Sequence, residues 1–484
     1  MNSPTLRRDS SPWLSRLYAF SVFALLLRFL LLLVFYREPY HAPVWILVLQ
    51  SATAVLGICL GRMWKHRTFW PLATYLLLLV VRLLFQGPAL FAEPGIPDLL
   101  IHGLWVFGAC HSLGFVLSDH SLRRFIRSFA AVWTVVSVLH CLVALYAAWR
   151  GQVVWNLPHG AFWGFAGTVG EGAPGMNEIN AVGAGYGVRL SVILYCTVSG
   201  AELSLSAMVA LCAAVCEKKS WARILYLLAL LPMLFAMGLT DTRACFVSFA
   251  AGAGAVVGIL LLRTLRSRLR PLSSWILSFV SAAAVMVLLV LLISRSTAVY
   301  NSLRAHGGLF FSSALAEESP ATVVSSRGFG GDLDAILSGR PDVWRYILRY
   351  LRDNPRVLLL GESVWLPMRG ANAQPGLTHV VGHPHNALLL VLLQAGLPGL
   401  LLILWVLCSA LRCSVRLVSR AETPLWQVLL PAVILSVCVG DSVECISGFL
   451  GFPYPNCSLL FLAIGLLYRP SSAGSGQYPR RSVF

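Results

Sequence analysis

Residues 273–293 read SSWILSFVSAAAVMVLLVLLI, a run of 21 residues without a charged side chain. A helix of about 20 residues crosses the roughly 30 Å hydrocarbon core of a bilayer, so this run has the length and composition of a membrane span. A basic cluster precedes it, and a long polar stretch, about 294–384, follows it. The block therefore predicts a membrane helix between a basic segment and a long loop.

The composition of the whole chain agrees with this interpretation. Of its 484 residues, 57% are hydrophobic and only 12% are charged, whereas a soluble globular protein has about 25% charged residues. The formal net charge of +17 lies in short basic clusters between apolar blocks. Such clusters are typical of membrane topology signals, so we expect no nucleic acid partner.

Apolar blocks of similar length recur along the chain. They predict an all-α, polytopic membrane protein of about 12 transmembrane helices, with a large, partly helical periplasmic loop between helices 9 and 10. The first block lacks a small-residue cleavage site and is expected to remain as an anchor. The predicted spans are 17–36, 43–61, 69–86, 99–118, 125–148, 189–214, 221–238, 243–262, 273–293, 386–411, 426–450 and 455–468.

The segments that connect these spans alternate between basic and non-basic. Seven basic segments fall on one side without a break in phase, which predicts an even number of spans and both termini in the cytoplasm. These segments contain Arg7, Arg8 and Arg16; Arg62, Lys65 and Arg67; Arg123, Arg124 and Arg127; Lys218, Lys219 and Arg223; Arg263, Arg266, Arg268 and Arg270; Arg412, Arg416 and Arg420; Arg469, Arg480 and Arg481.

The chain divides at its longest loop. Residues 1–293 are expected to form transmembrane helices 1–9, residues 294–385 the periplasmic loop, and residues 386–468 helices 10–12. The Ser/Gly-rich tail, 469–484, is expected to be disordered in the cytoplasm. Within the loop, Pro341–Leu351 has the apolar spacing of an amphipathic helix.

A short motif, His383-Pro384-His385-Asn386, precedes the tenth predicted span. His385 stands at the predicted outer mouth of that helix, where the helix dipole disfavours a positive charge. A neutral imidazole can accept a proton, as a general base must. One alternative is a pair of interfacial histidines without a chemical role. Another is zinc chelation by the two histidines, although no cysteine or acid stands in the same segment.

Two arginines lie in short motifs on the same predicted side. Arg243 ends the very short outer turn Asp241-Thr242-Arg243, against the positive-inside bias. Arg340 lies in Ser338–Trp344, at the start of the predicted loop helix, where free backbone N–H groups also suit an anion. The alternatives are an arginine paired with Asp241 and a solvated arginine on the loop helix. Together with His385, the two arginines describe a site for a diphosphate and a base.

Five further residues are candidates for a supporting role. Arg82 lies near the outer end of its span, where it either snorkels to the surface or has a function. Asp441 and Glu444 lie in the outer half of the eleventh predicted span and could orient the arginines or the histidine. A hydrated Glu444 is an equal alternative. His383 and Asn386 flank the candidate base.

These motifs resemble a known family, the bacterial O-antigen ligase / Wzy-type polymerase superfamily. His385-Asn386 is followed after nine residues by Gly396-x-x-Gly399. This arrangement resembles the histidine signature of the family. Its short arginine turn is similar to Thr240–Ala244, although Thr242 replaces the usual serine. The resemblance extends over about 235–410, and the earlier spans match in topology only.

The loop-helix motif of the same family resembles Gly339-Arg340-x-x-x-Trp344, followed by Asn354-Pro355 and Leu360-Gly361. Gly361-Glu362 replaces the usual Gly-x-Gly loop. Neither this departure nor Thr242 affects the three residues that carry the expected chemistry.

The resemblance implies a GT-C-like, metal-independent and inverting glycosyltransferase of the bacterial inner membrane, without a cofactor. Its donor would be an undecaprenyl-diphosphate-linked glycan at the periplasmic face. Arg243 and Arg340 would bind the diphosphate, and His385 would deprotonate the acceptor hydroxyl. In a ligase of lipopolysaccharide biosynthesis the acceptor is lipid A–core. In a polymerase it is another lipid-linked repeat, and we favour the ligase.

Two other classes of protein remain as alternatives. A twelve-span transporter of lipid-linked sugars usually shows two similar halves with its main loop in the middle. Here the long loop falls between the ninth and tenth predicted spans, and no such halves are visible. A non-catalytic membrane scaffold would tolerate the loss of His385.

Overall fold

The structure is a computed structural model. It describes residues 12–31, 43–87, 95–149, 155–156, 162–166, 189–192, 196–306, 340–364, 368, 384–443 and 455–469.

Helices make up most of this described part of the chain. They are α1 Pro12–Leu27, α2 Val44–Gly61, α3 Phe69–Gln86, α4 Gly95–Trp105, α5 Leu113–Val116, α6 Asp119–Trp149, α7 Cys196–Cys216, α8 Ser220–Leu239, α9 Arg243–Leu265, α10 Pro271–Ser294, α11 Ser296–His306, α12 Arg340–Asp353, α13 Pro355–Leu360, α14 Ala387–Val418, α15 Leu425–Val428, α16 Leu430–Val443 and α17 Pro455–Leu467. A 3-10 turn, Met63–Lys65, precedes α3, and a π-helical segment, Val106–Cys110, follows α4.

Ten helical stretches in the described residues are long and apolar enough to cross a membrane. Two shorter apolar helices, Pro12–Leu27 and Cys457–Leu467, overlap the first and twelfth predicted spans. The prediction of a polytopic α-helical membrane protein is therefore confirmed. Helix α10 exposes Phe279, Leu288 and Leu292, as expected of a helix whose outer face contacts lipid.

The sixth predicted span began too early. The structure places an antiparallel strand at Arg189–Ser191, and helix α7 begins only at Cys196. This strand pairs with Phe162–Ala166, which in turn pairs with Trp155–Asn156. A short apolar run fits a strand as well as a helix, so periodicity alone could not separate them.

One end of the helix bundle gathers the basic connecting segments, and we call it the basic end. Arg263 at the end of α9 donates hydrogen bonds to Thr423 O (3.1 Å) and Ala421 O (2.6 Å), just beyond the end of α14. Arg469, which the sequence assigned to the tail, is buried and bonds to Gly114 O (2.8 Å) and Leu117 O (2.9 Å). The residues after it lie outside the described part.

Helices α9 and α14 run in the same direction, because both end among these basic contacts. Helix α16 runs back between them. Ser248 of α9 donates a 2.7 Å hydrogen bond to Ser436 O of α16, and Gly440 of α16 packs on the Ser248 side chain. The starts of α9 and α14 therefore lie at the opposite end of the bundle, which we call the site end.

The predicted loop helix is present as α12, and it packs on α14. Its buried face consists of Val343, Ile347, Tyr350 and Leu351. These residues form a small apolar core with Met368 and with Leu392 and Leu393 of α14. The apolar face that the sequence predicted for α12 is therefore the face by which the loop helix packs on the tenth predicted span.

Candidate functional site

His385 lies immediately before the N-terminus of α14, in a left-handed backbone conformation with φ of 49°. Asn386 caps the helix: its Oδ1 accepts hydrogen bonds from the N–H groups of Leu388 and Leu389, each at 3.0 Å. Its Nδ2 donates to Ser442 O of α16 at 2.8 Å. One side chain therefore holds the backbone beside His385 to two helices.

The loop helix reaches the same motif. Trp344 Nε1 donates a 2.9 Å hydrogen bond to Pro384 O, the carbonyl directly before His385. Arg340 is the first residue of α12 and lies four residues before Trp344, so the two side chains share one face of the helix. This contact joins the arginine motif of the loop to the histidine motif.

The turn before α9 is as short as the sequence predicted. Three residues, Thr240–Thr242, separate α8 from α9, and Arg243 opens the new helix. Asp241 is buried and has a φ of 47°. A side chain on Gly200 of α7 would lie within 2.9 Å of Thr240 Oγ1 and 3.0 Å of Thr242 Cβ. Helix α7 therefore packs closely against the turn.

Left-handed backbone is rare at residues other than glycine. In the described part of the chain, the residues other than glycine with a left-handed backbone are Arg62, Asp241 and His385. The last two stand two residues or fewer before the helices that begin with Arg243 and Ala387. Such strain persists where the surrounding structure enforces it, and it often marks functional sites.

Helix α16 connects the arginine turn to the histidine motif. Its buried Asp441 lines a small cavity with Cys245 and Ser248 of α9. The next residue, Ser442, accepts the hydrogen bond from Asn386. Cys245 is two residues from Arg243, so the last turn of α16 lies between the two motifs. The predicted position of Asp441 near the site is consistent with this arrangement.

Three helices begin at this surface, each with a basic side chain at its first residue or just before it. Arg243 opens α9, Arg340 opens α12, and His385 lies just before α14. The three helix N-termini thus add their partial positive charge and backbone N–H groups to two guanidinium groups. Arg243, Arg340 and His385 are all partly accessible, as contact with a substrate requires.

Arg82 holds the loop to the bundle. Its Nη2 donates a 2.7 Å hydrogen bond to Gly361 O, and Gln86 Nε2 donates to Glu362 O at 2.9 Å. The Glu362 carboxylate accepts a hydrogen bond from Tyr350 of α12. The Arg82 side chain is therefore bonded to the backbone of the loop, and its supporting role at the site stays a prediction.

The same loop segment fills a break in α14. Gly396 has φ of 65° and ψ of −167°, a conformation essentially restricted to glycine. A Cβ at this position would lie 2.4 Å from Leu359 O. Glu362 N donates to Leu393 O at 2.5 Å, and Gln394 Nε2 donates to Val364 O at 3.0 Å. The glycine of the histidine signature thus lets the loop approach the α14 backbone.

Two predicted supporting residues, His383 and Glu444, lie outside the described residues. Their place at the site therefore stays a prediction, and the zinc alternative for His383 and His385 stays an alternative. Glu202 of α7 is a buried acid that was not among the predicted site residues. Its signal was available, since a carboxylate within an apolar span is a functional hypothesis by default.

Comparison with known proteins places a family match across this region. Residues 228–404 match the model of the family Wzy_C, described as O-antigen ligase. The match runs from α8 to α14 and includes Arg243, Arg340 and His385, whereas Arg82 and Asp441 lie outside it. A search of curated proteins found no match to the chain. Over residues 228–404 the chain is therefore similar to the O-antigen ligase family, and this match supports the O-antigen ligase/Wzy superfamily.

Proposed function

We propose that the chain is an O-antigen ligase that transfers a glycan from undecaprenyl diphosphate to a hydroxyl group of lipid A–core. The reaction takes place at the periplasmic face of the bacterial inner membrane. The family match supports a glycosyltransferase of the ligase or polymerase type acting on lipid-linked glycans. The orientation follows from the alternation of basic segments, since the site end is opposite the basic end.

One observation carries the proposal: the 2.9 Å hydrogen bond from Trp344 to Pro384 O. It links a helix that begins with an arginine to the backbone of the candidate base, although 40 residues separate the two positions in sequence. The function of a transporter or a scaffold does not require the arginine motif and the histidine motif to lie together. The function of a transferase requires it, because its leaving-group site and its base must lie on either side of one reacting carbon.

In the proposed reaction, the acceptor oxygen attacks the anomeric carbon of the donor from the face opposite the diphosphate. The new carbon–oxygen bond forms as the bond to the diphosphate oxygen breaks, with inversion at that carbon. His385 takes the proton of the acceptor hydroxyl. Arg243 and Arg340, with the nearby helix N-termini, stabilise the negative charge that develops on undecaprenyl diphosphate as it leaves.

Asn386 and Asp441 are positioning residues in this scheme. Asn386 fixes the backbone beside the base through its bonds to Leu388, Leu389 and Ser442 O. Asp441 is buried beside Cys245 at the start of α9. Arg82 acts at longer range through Gly361 and the loop.

The test is glycan transfer by the purified full-length chain, reconstituted in liposomes with a lipid-linked donor and lipid A–core. The proposal predicts glycan on lipid A–core without added metal or nucleotide. A product in which lipid-linked repeats are joined to one another would instead identify a polymerase. Absence of both products, with intact folded protein, would contradict a transferase of either type.

A further inference from the structure

An apolar cavity of about 160 Å³ opens at the basic end of the bundle, away from the proposed transfer site. Its walls come from α6, α7, α8, α15, α16 and α17, with residues such as Phe129, Cys212, Leu430 and Leu462. On α17 the lining extends from Leu459 to Leu466, which is about 10 Å along the helix. The cavity therefore covers much of one leaflet, whose hydrocarbon is about 15 Å thick.

Water is a poor occupant for this cavity. Its walls are almost entirely apolar, and a water molecule in a buried site needs two to four polar partners. An empty space would leave the lining atoms without dispersion contacts. Because the surrounding helices are membrane spans, hydrocarbon chains are the apolar groups available to fill it.

The mouth of the cavity carries a group of basic side chains that we call the basic rim: Arg127, Lys218, Lys219 and Arg223. Arg127 itself lines the cavity, and its side chain is 66% exposed. Arg223 Nη2 donates a 2.8 Å hydrogen bond to Glu217 O, which places it beside another lining residue. Lys218 and Lys219 directly follow Glu217 and are exposed.

Glu217 is the acidic residue of the cavity lining. Hydrogen bonds from the backbone N–H groups of Lys219 and Lys218, with the charge of Arg127, hold the pKa of its carboxyl below the ordinary value. Glu217 Oε1 lies 3.5 Å from Arg127 Nη2. The rim contains four basic residues and the lining one carboxylate, so the rim keeps an excess of positive charge.

The rim also lies at the level expected for lipid headgroups. Trp221, at the start of α8, is 63% exposed, and Lys219 Nζ lies 5.9 Å from the centroid of its ring. Exposed tryptophans at helix ends typically mark the membrane–water interface. A headgroup at this level would place its acyl chain at the mouth of the cavity.

We propose that this cavity binds an acyl chain of an anionic phospholipid, with the headgroup phosphate at the basic rim. The proposal does not depend on the transferase reaction, because the cavity lies at the opposite end of the bundle. The apolar walls select a hydrocarbon chain, and the excess of positive charge selects an anionic headgroup.

The test is native mass spectrometry of the purified full-length chain in detergent. Phosphatidylglycerol and phosphatidylcholine with identical acyl chains are added separately. The proposal predicts retention of phosphatidylglycerol over phosphatidylcholine. Ala213→Phe, which fills the cavity from α7, should abolish this retention, and Arg127→Gln should lower it about fivefold. Equal retention of both lipids, or none of either, would overturn the proposal.

Two variants serve as matched controls. Ala284→Phe adds the same ring to an exposed position of α10, and Arg412→Gln removes the same charge from α14, another helix at the basic end. Neither residue lines the cavity, so both variants should retain lipid like the unmodified chain. Should Ala213→Phe fail to fold, a phosphatidylglycerol with a photoreactive group at the acyl end provides a second test on the unmodified chain. Crosslinks should map to the cavity lining, and crosslinks confined to other helices would overturn the proposal.

Discussion

Asn386 Nδ2 donates a 2.8 Å hydrogen bond to Ser442 O, joining the first turn of α14 to the last turn of α16. The other atom of the same amide, Oδ1, caps α14. The residue next to a candidate base therefore performs two separate structural tasks with its two polar atoms. Because the tasks use different atoms, substitutions can separate them.

Asn386→Asp should keep the helix cap but lose the donor to Ser442 O. Asn386→Ala should lose both and lower the free energy of unfolding by about 1 kcal/mol for the cap alone. We expect both variants to transfer glycan more slowly, and only the alanine variant to lose the stability due to the cap. Thermal unfolding in detergent and the transfer rate provide the two measurements.

The matched control for this pair is Asn354→Ala. Asn354 also precedes a helix, but its side chain accepts no hydrogen bond from the first turn of that helix and instead donates to Tyr350 O at 2.9 Å. Asn354→Ala should therefore not show the loss in free energy of unfolding that the missing helix cap causes in Asn386→Ala. A transfer rate in Asn386→Asp equal to that of the unmodified chain would show that the link to α16 does not position His385.

Trp344→Phe should keep the ring on α12 and remove its hydrogen bond to Pro384 O. A hydrogen bond of this kind contributes about 0.5–1.5 kcal/mol, so the transfer rate should fall by about two- to tenfold. Trp405→Phe is the control, because Trp405 lies on α14 and is 64% exposed. If both variants transferred glycan at the same rate, the link between loop helix and base would have no catalytic role.

Gly396→Ala should be strongly destabilising. Its backbone conformation is costly for alanine, by about 1–3 kcal/mol, and the added Cβ would lie 2.4 Å from Leu359 O. Gly87→Ala separates these causes, since Gly87 has φ of 118° but no atom within 4 Å of an added Cβ. We expect a larger fall in the unfolding temperature for Gly396→Ala than for Gly87→Ala. Equal losses would mean that close packing of the loop against α14 contributes nothing.

Tyr350 gives the described loop segment a pH-dependent contribution to stability. Burial, and then the hydrogen bond and charge of Glu362, raise the pKa of its phenol above the ordinary value, which is about 10. The folded chain thus binds this proton more tightly than the unfolded chain. The contribution is complete below about pH 10 and is lost as the pH rises further.

Unfolding temperatures between pH 8 and pH 11 test this contribution. Above pH 10 the unmodified chain should lose up to about 1.4 kcal/mol per pH unit more than Tyr350→Phe. At pH 8 the variant should be less stable, because it lacks the bond to Glu362. Parallel pH profiles for the two proteins would exclude a coupled Tyr350–Glu362 pair.

The sequence predicted the helices and motifs better than the contacts between them. Apolar runs of about twenty residues identified the spans, and the spacing of Val343, Ile347 and Leu351 predicted the buried face of α12. These are local patterns that each segment carries by itself. The strand at Arg189–Ser191 was missed because a short apolar run fits both helix and strand.

Long-range contacts of the site were beyond local patterns. The bond from Arg82 to Gly361 O joins residues 279 positions apart, and it uses a backbone carbonyl that no sequence motif marks. From the sequence, Gly361-Glu362 was recognised only as a departure from the family pattern. In the folded chain Glu362 accepts from Tyr350 and its N–H bonds to Leu393 O. Such roles depend on tertiary packing, which sequence periodicity does not encode.

We propose that Arg243, Arg340 and His385 serve one reaction in different roles. The most direct test measures donor binding and glycan transfer separately, with reconstituted full-length His385→Ala, Arg243→Gln and Arg340→Gln. We predict that His385→Ala still binds the undecaprenyl-diphosphate donor but loses transfer, whereas each arginine variant loses donor affinity as well. Full transfer activity in His385→Ala would contradict the account.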